Sequence, residues 1–298
     1  MPAHARCVCL REQMAAHRSD RLCREPTATR ARNGAATMPI PADAFAHVPM
    51  LVGKVLDPEK STFRISRQTF DEWDRRAKEA GYGDNWRRTH EEREATRSEA
   101  LRGRLGRDLW IFAYGSLMWD PAIHVVEIRA AALAGFHRRF CLKVEIGRGS
   151  QERPALMAAL DVGGECHGLA MRIPAQAVDR ETEILWMREM IGEAYLPQFC
   201  NVATPQGPVE ALAFVMDRKS PRFADIGAEE AARIIATGSG LLGTNLEYFD
   251  NLATHVEALG IRDDVFEDIR ACLCRRGAYR SAPRRAMHGG GRDAARQA

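Results

Sequence analysis

The chain has 298 residues, enough for one or two domains with a sizeable core, and its 43 basic and 40 acidic side chains leave a formal net charge of +3. The charge is uneven: residues 1–37 carry seven Arg against Glu12, Asp20 and Glu25, residues 275–298 carry seven Arg against Asp293, and residues 38–274 are left at −7. An acidic body argues against a nucleic-acid or anionic-membrane binder, which needs a clustered basic face, and no apolar run approaches the roughly 20 residues of a membrane-spanning helix.

In chain order, residues 1–37 are rich in Ala and Arg with few large apolar side chains, as are residues 277–298. Neither segment buries enough surface to offset the entropy of ordering, so both are expected to be disordered tails. The basic start lacks the apolar stretch of a secretory signal, and eight scattered Cys then read as reduced thiols in a cytoplasm. Met38, followed by Pro39, is a candidate initiator on composition. The pairs Cys7/Cys9 and Cys272/Cys274 lack the usual zinc spacing and border low-complexity sequence, so no metal is expected.

Residues 38–108 read as a helical appendage on the domain surface, with helices at 71–80 and 86–105 separated by Gly81-Tyr82-Gly83-Asp84. The core signal begins at Leu109-Trp110-Ile111-Phe112-Ala113-Tyr114, a continuous apolar run halted by Gly115-Ser116, as for a buried strand ending in a tight turn. Further strands are predicted at 125–132, 139–144, 155–160, 167–173, 198–203 and 209–216. Helices are predicted at 175–190, with Pro174 at the entry, and at 228–237, 245–259 and 263–274. Strands cluster early and helices late without βαβ alternation, which indicates an α+β fold with a largely antiparallel or barrel-like sheet.

Several short motifs carry chemistry, each with a plain alternative. Gly238-Ser239-Gly240-Leu241-Leu242-Gly243 matches a dinucleotide fingerprint, but a helix precedes it where a strand is required, so the glycines read as a helix break. Tyr114-Gly115-Ser116-Leu117 lacks the pattern of a serine nucleophile; it offers backbone N–H groups that can converge on an anion, or else an ordinary strand-ending turn. In the helix at 175–190, Val178, Leu185 and Glu189 fall on one stripe, which places a carboxylate on the core-facing side. Glu189 is therefore either a desolvated general base or half of an ion pair with a core arginine such as Arg139. His124, His137, His167 and His255 have no ligand-like pairing and read as satisfied side chains, and Trp186 and Tyr248 read as core.

Five ordered segments together resemble the γ-glutamylcyclotransferases of the ChaC-like family. They are Phe112-Ala113-Tyr114-Gly115-Ser116-Leu117-Met118-Trp119 with Pro121, Gly135-Phe136-His137-Arg138-Arg139-Phe140, Gly168-Leu169-Ala170-Met171-Arg172-Ile173-Pro174, Leu185-Trp186-Met187-Arg188-Glu189-Met190, and Gly243-Thr244-Asn245-Leu246-Glu247-Tyr248-Phe249-Asp250-Asn251-Leu252. The resemblance implies a domain at 109–276 built as a small mixed β-barrel flanked by helices, with neither metal nor organic cofactor. It also implies the reaction: the α-amine of a γ-glutamyl group attacks its own γ-carbonyl, forming 5-oxoproline and releasing the amine, which is Cys-Gly when the substrate is glutathione. By the same resemblance Glu189 is the general base and then the acid, and Tyr114, Gly115, Ser116 and Leu117 bind the γ-glutamyl chain. Tyr248 supports the pocket, and Arg139 is a charge partner for Glu189 or for a substrate carboxylate. The expected partner is a small molecule, with no nucleic acid or membrane. Other γ-glutamyl amines, or a non-catalytic binding module on the same scaffold, are the alternatives.

Overall fold

The apolar run at 109–113 forms strand β1 (Leu109–Ala113), and its alternation sorts the two sides of a sheet. Phe112 and Tyr114 enter one buried cluster with Leu133, Leu160 and Val215, while Leu109, Ile111 and Ala113 enter a second, shared with the helices. This computed structural model describes residues 39–279 except 80 and 84. The expectations for residues 1–37, for Cys7/Cys9 and for most of the C-terminal tail lie outside the described residues.

Four further strands complete the sheet: β2 (Glu127–Val144), β3 (Ala155–Ile173), β4 (Tyr195–Val202) and β5 (Val209–Met216). The order is β2-β3-β1-β5-β4, with β1 parallel to β5 and antiparallel to β3 through Leu109↔Ile173 and Ala113↔Leu169. The sheet curls until its edges touch. Ala132 of β2 and Ala203, just past β4, exchange two backbone hydrogen bonds of 2.9 Å, and Leu160 of β3 pairs with Val215 of β5. The result is an α+β architecture, a small mixed barrel flanked by helices.

Two pairs of predicted strands are single strands here. The predictions at 125–132 and 139–144 fuse into β2, and those at 155–160 and 167–173 fuse into β3. Gly135, at φ +84°, takes the left-handed conformation within a register shift between Ala134 and Phe136, so the glycine makes a bulge in a continuing strand where a chain break was expected.

The helices are α1 (Arg67–Glu79), α2 (His90–Ala100), α3 (Val178–Glu189), α4 (Ala228–Thr237), α5 (Asn245–Ala258) and α6 (Asp264–Arg275). Helix α2 starts later than the predicted residue 86 because Thr89 and Glu92 form a reciprocal capping box; Thr244 and Glu247 do the same for α5. The glycine motif after α4 folds into a two-strand turn (Ser239–Gly240, Gly243–Thr244), and a Cβ on Gly240 would stand 2.2 Å from the Gly149 carbonyl oxygen. Close approach of two loops thus accounts for that glycine.

Residues 39–108 are bound into the body of the protein. Phe45, Val48, Leu51, Ile65, Phe70 and Leu101 belong to the same buried cluster as residues of α3 and α5. The Leu56 N–H donates to the Trp119 carbonyl at 2.7 Å, and His255 Nε2 lies 2.9 Å from the Lys54 carbonyl oxygen. At the other end Tyr279, assigned by composition to the disordered tail, instead stacks edge-on against Phe249 and donates to Asp250 at 2.8 Å. Among the described residues, no helix is long and apolar enough to cross a membrane.

Candidate active site

Beyond β1, Tyr114 and Gly115 lead into a single 3₁₀ turn (Ser116–Met118), closed by the Met118 N–H to the Gly115 carbonyl at 2.9 Å. The first N–H groups of such a turn have no acceptor inside it, so those of Ser116 and Leu117 face out of its N-terminal end. Gly115 is buried, and a Cβ there would lie 3.2 Å from the Tyr248 hydroxyl. Glycine therefore allows the phenol from α5 to close on the turn. The Tyr248 oxygen accepts from the Ala158 N–H at 3.3 Å, and the Tyr114 hydroxyl donates to the Phe214 carbonyl at 2.6 Å. The end of β1 is clamped by Arg138, 2% exposed, whose Nε donates to the Tyr114 carbonyl at 2.7 Å and whose Nη2 donates to the His167 carbonyl at 2.6 Å.

Glu189 is the last residue of α3 and keeps 14% of its side-chain surface accessible. Arg188 Nε lies 3.0 Å from its Oε1. The same guanidinium donates through Nη2 to Ser116 Oγ at 2.7 Å and through Nη1 to the Asp120 carbonyl. One arginine thus ties the carboxylate to the glycine turn. Burial pushes the Glu189 carboxyl above its ordinary value, and the charge and hydrogen bond of Arg188 pull in the opposite direction without cancelling it. Three phenols share this environment. Tyr114, Tyr195 and Tyr248 are all driven upward, first by burial, and the Glu189 charge adds to the shift in each. They are protonated hydrogen-bonding groups at neutral pH.

Glu189, Tyr114, Gly115, Ser116 and Tyr248 therefore converge. Leu117 contributes its backbone to the turn while its side chain, 6% exposed, packs into the helix-side core. Arg139 requires correction as the partner of Glu189: its guanidinium pairs with Asp161 at 3.3 Å and with Asp225, and lies over Phe223. Adjacent strand residues face opposite sides of a sheet, so Arg138 and Arg139 serve different surroundings. Sequence reasoning passed over Arg188, because neighbours on a helix usually diverge; the contact forms at the helix end, where Nε can turn back. It also passed over Tyr195, since the predicted strand started three residues later than β4.

Among the described residues, no cluster of three His, Cys, Asp or Glu side chains is arranged to hold a metal. Cys141, Cys166, Cys200, Cys272 and Cys274 are free, and burial pushes the Cys141 and Cys166 thiols up to about 12 and about 11.

The curled five-strand sheet flanked by helices is a γ-glutamyl cyclotransferase fold. A yeast γ-glutamyl cyclotransferase specific to glutathione superposes with a TM-score of 0.51 at 18% identity, covering 57% of this chain and 99% of that one. The family model for ChaC-like proteins matches residues 109–276, and the chain belongs to this family. It is 42% identical over 163 residues to the glutathione-specific γ-glutamylcyclotransferase of Escherichia coli (strain K12), covering 54% of this chain and 71% of that protein. It is 32% identical over 158 residues to glutathione-specific γ-glutamylcyclotransferase 1 of Homo sapiens, covering 51% and 71%.

Proposed function

We propose that the protein is a γ-glutamylcyclotransferase that cleaves glutathione to 5-oxoproline and Cys-Gly. The observation that carries this reading is the single guanidinium joining the half-buried Glu189 carboxylate to the glycine turn at the end of β1. The chemistry needs little else. The nucleophile is tethered to its electrophile, so holding the glutamyl chain bent supplies most of what a second reactant would otherwise lose on ordering.

In our assignment the turn at 114–117 orients the γ-glutamyl group through its outward N–H donors, with Tyr248 as a wall against Gly115. Glu189 removes a proton from the α-ammonium, the freed amine forms a bond to the γ-carbonyl carbon, and the C–N bond to the cysteinyl nitrogen breaks. Two protons leave the attacking nitrogen and two reach the departing one, so a carboxylate alternating between base and acid balances the reaction with no consumed co-reactant. A carboxyl raised by burial suits both roles near neutral pH. We place the reaction in a cytoplasm, in keeping with the free thiols, with a small molecule as partner in place of nucleic acid or membrane.

Incubation with glutathione should release 5-oxoproline and Cys-Gly in equal amounts, and Glu189→Gln should lower turnover about 10²–10⁴-fold, the contribution of a positioned base. Wild-type turnover in that variant would remove Glu189 from its role. Faster turnover of other γ-glutamyl dipeptides than of glutathione would move the substrate assignment within the same chemistry.

A further inference from the structure

The segment ahead of the family-matched domain reaches the active centre at one aromatic ring. The Arg188 guanidinium lies over the ring of Phe63, its central carbon 4.8 Å from the ring centroid. This is the guanidinium whose edge serves Glu189, Ser116 and Asp120. A guanidinium donates only in its plane, and Arg188 is 8% exposed, so its faces need cover that does not compete for the N–H groups. An aromatic ring does this while attracting the cation.

Phe63 is held in place by its neighbours. Its own N–H donates to Ser61 Oγ at 3.0 Å, and the next residue, Arg64, forks onto the buried Glu181 of α3 at 2.8 and 3.0 Å. Arg64 also donates to the Ala122 carbonyl at 2.9 Å. Glu181 and Arg188 are seven residues apart, two turns of one helix, and so share a face. Two consecutive side chains therefore grip α3 at both ends of that face, and only the outer grip is an ion pair. The inner one is a ring laid on the arginine that touches the catalytic carboxylate.

We propose that Phe63 is a positioning residue of the active centre, acting through Arg188 by fixing the plane of the guanidinium that joins Glu189 to the turn at 114–117. The segment at 39–108 is then a working part of the site. This rests on the reading of Glu189 as the base.

The test uses the full chain with ¹⁵N-labelled arginine, with the Arg188 Nε–H resonance assigned by its loss in Arg188→Lys. In Phe63→Ala that N–H should exchange with solvent about tenfold faster, as expected for local opening. The kcat for 5-oxoproline release should fall about tenfold or more with KM changed far less, the signature of a misplaced reacting group. Phe63→Tyr, which keeps the ring, should restore both. If Phe63→Ala does not fold, Phe63→Leu, which keeps bulk without a π-face, replaces it with the same expected result. Unchanged Nε–H exchange, unchanged kcat, or failure of Phe63→Tyr to restore them would overturn the proposal. A wild-type protein that releases no 5-oxoproline would overturn the reading of the function, while the exchange measurement still reports on Phe63 and Arg188.

Discussion

Glu189 is held between two influences, burial that favours its protonated form and Arg188 that favours its charged form. The balance sets the pH at which the base becomes available. Neutralising the arginine in Arg188→Gln removes the positive charge that lowers the carboxyl, so its titration must move upward, and the acid limb of the pH–rate profile should shift to higher pH. The profile of 5-oxoproline release against pH measures this directly. Turnover at neutral pH should also fall about 10–100-fold, because Ser116 and Glu189 lose their common tether. An acid limb that stays in place would show that Arg188 does not govern the carboxylate. Sequence placed Glu189 on the core-facing stripe of its helix but could not select its partner. Arg138, Arg139 and Arg188 are equivalent as letters, and only packing commits the first to the Tyr114 carbonyl, the second to Asp161 and the third to Glu189.

At the level of elements, the position of the turn at 114–117 depends on how closely β3 approaches the end of β1. Gly168 is the contact: a Cβ there would stand 2.3 Å from the Ala113 carbonyl oxygen. Gly168→Ala must push β1 outward just before Tyr114. It should cost about 1–3 kcal/mol of stability, typical of an overpacked interior site, and lower turnover as well. Thermal melting and the product assay together check this, and a variant with unaltered turnover would uncouple the strand end from the site. The strands and helices themselves were largely legible, because alternation and the 3.6-residue period act locally. The misplaced boundaries have local causes too. Gly135 supports a bulge as readily as a turn, and the capping box of Thr89 and Glu92, visible as Thr-x-x-Glu, starts α2 after the predicted residue 86.

Across the whole molecule, the described residues ahead of 109 are continuous with the core, although the family model begins at 109. A chain that starts at residue 109 would lose Phe45, Val48, Leu51, Ile65, Phe70 and Leu101 from that cluster. Removing one large buried side chain costs about 2–5 kcal/mol, whereas a domain's entire stability is about 5–15 kcal/mol, so the shortened chain should not fold cooperatively. Circular dichroism melting of the chain from residue 109 decides it, and a sharp transition near that of the full chain would show a self-sufficient domain. Composition alone suggested an appendage, since charges outnumber aliphatic residues between 38 and 108. What the sequence by itself determined is local and ordered along the chain: the strand that ends at a glycine turn, the helix that ends in a carboxylate, the acidic body between basic ends, and the family these segments define. Only the tertiary structure decided which arginine meets Glu189, that the glycine run at 238–243 serves loop packing, and that Phe63 reaches the site. Arg188 is the neighbour of Glu189 in the chain, but the contacts that fix it there, to Ser116 and Phe63, and the approach of Gly240 to Gly149 join residues far apart in sequence, so their geometry depends on the packed sheet and helices and leaves no periodic trace in the chain.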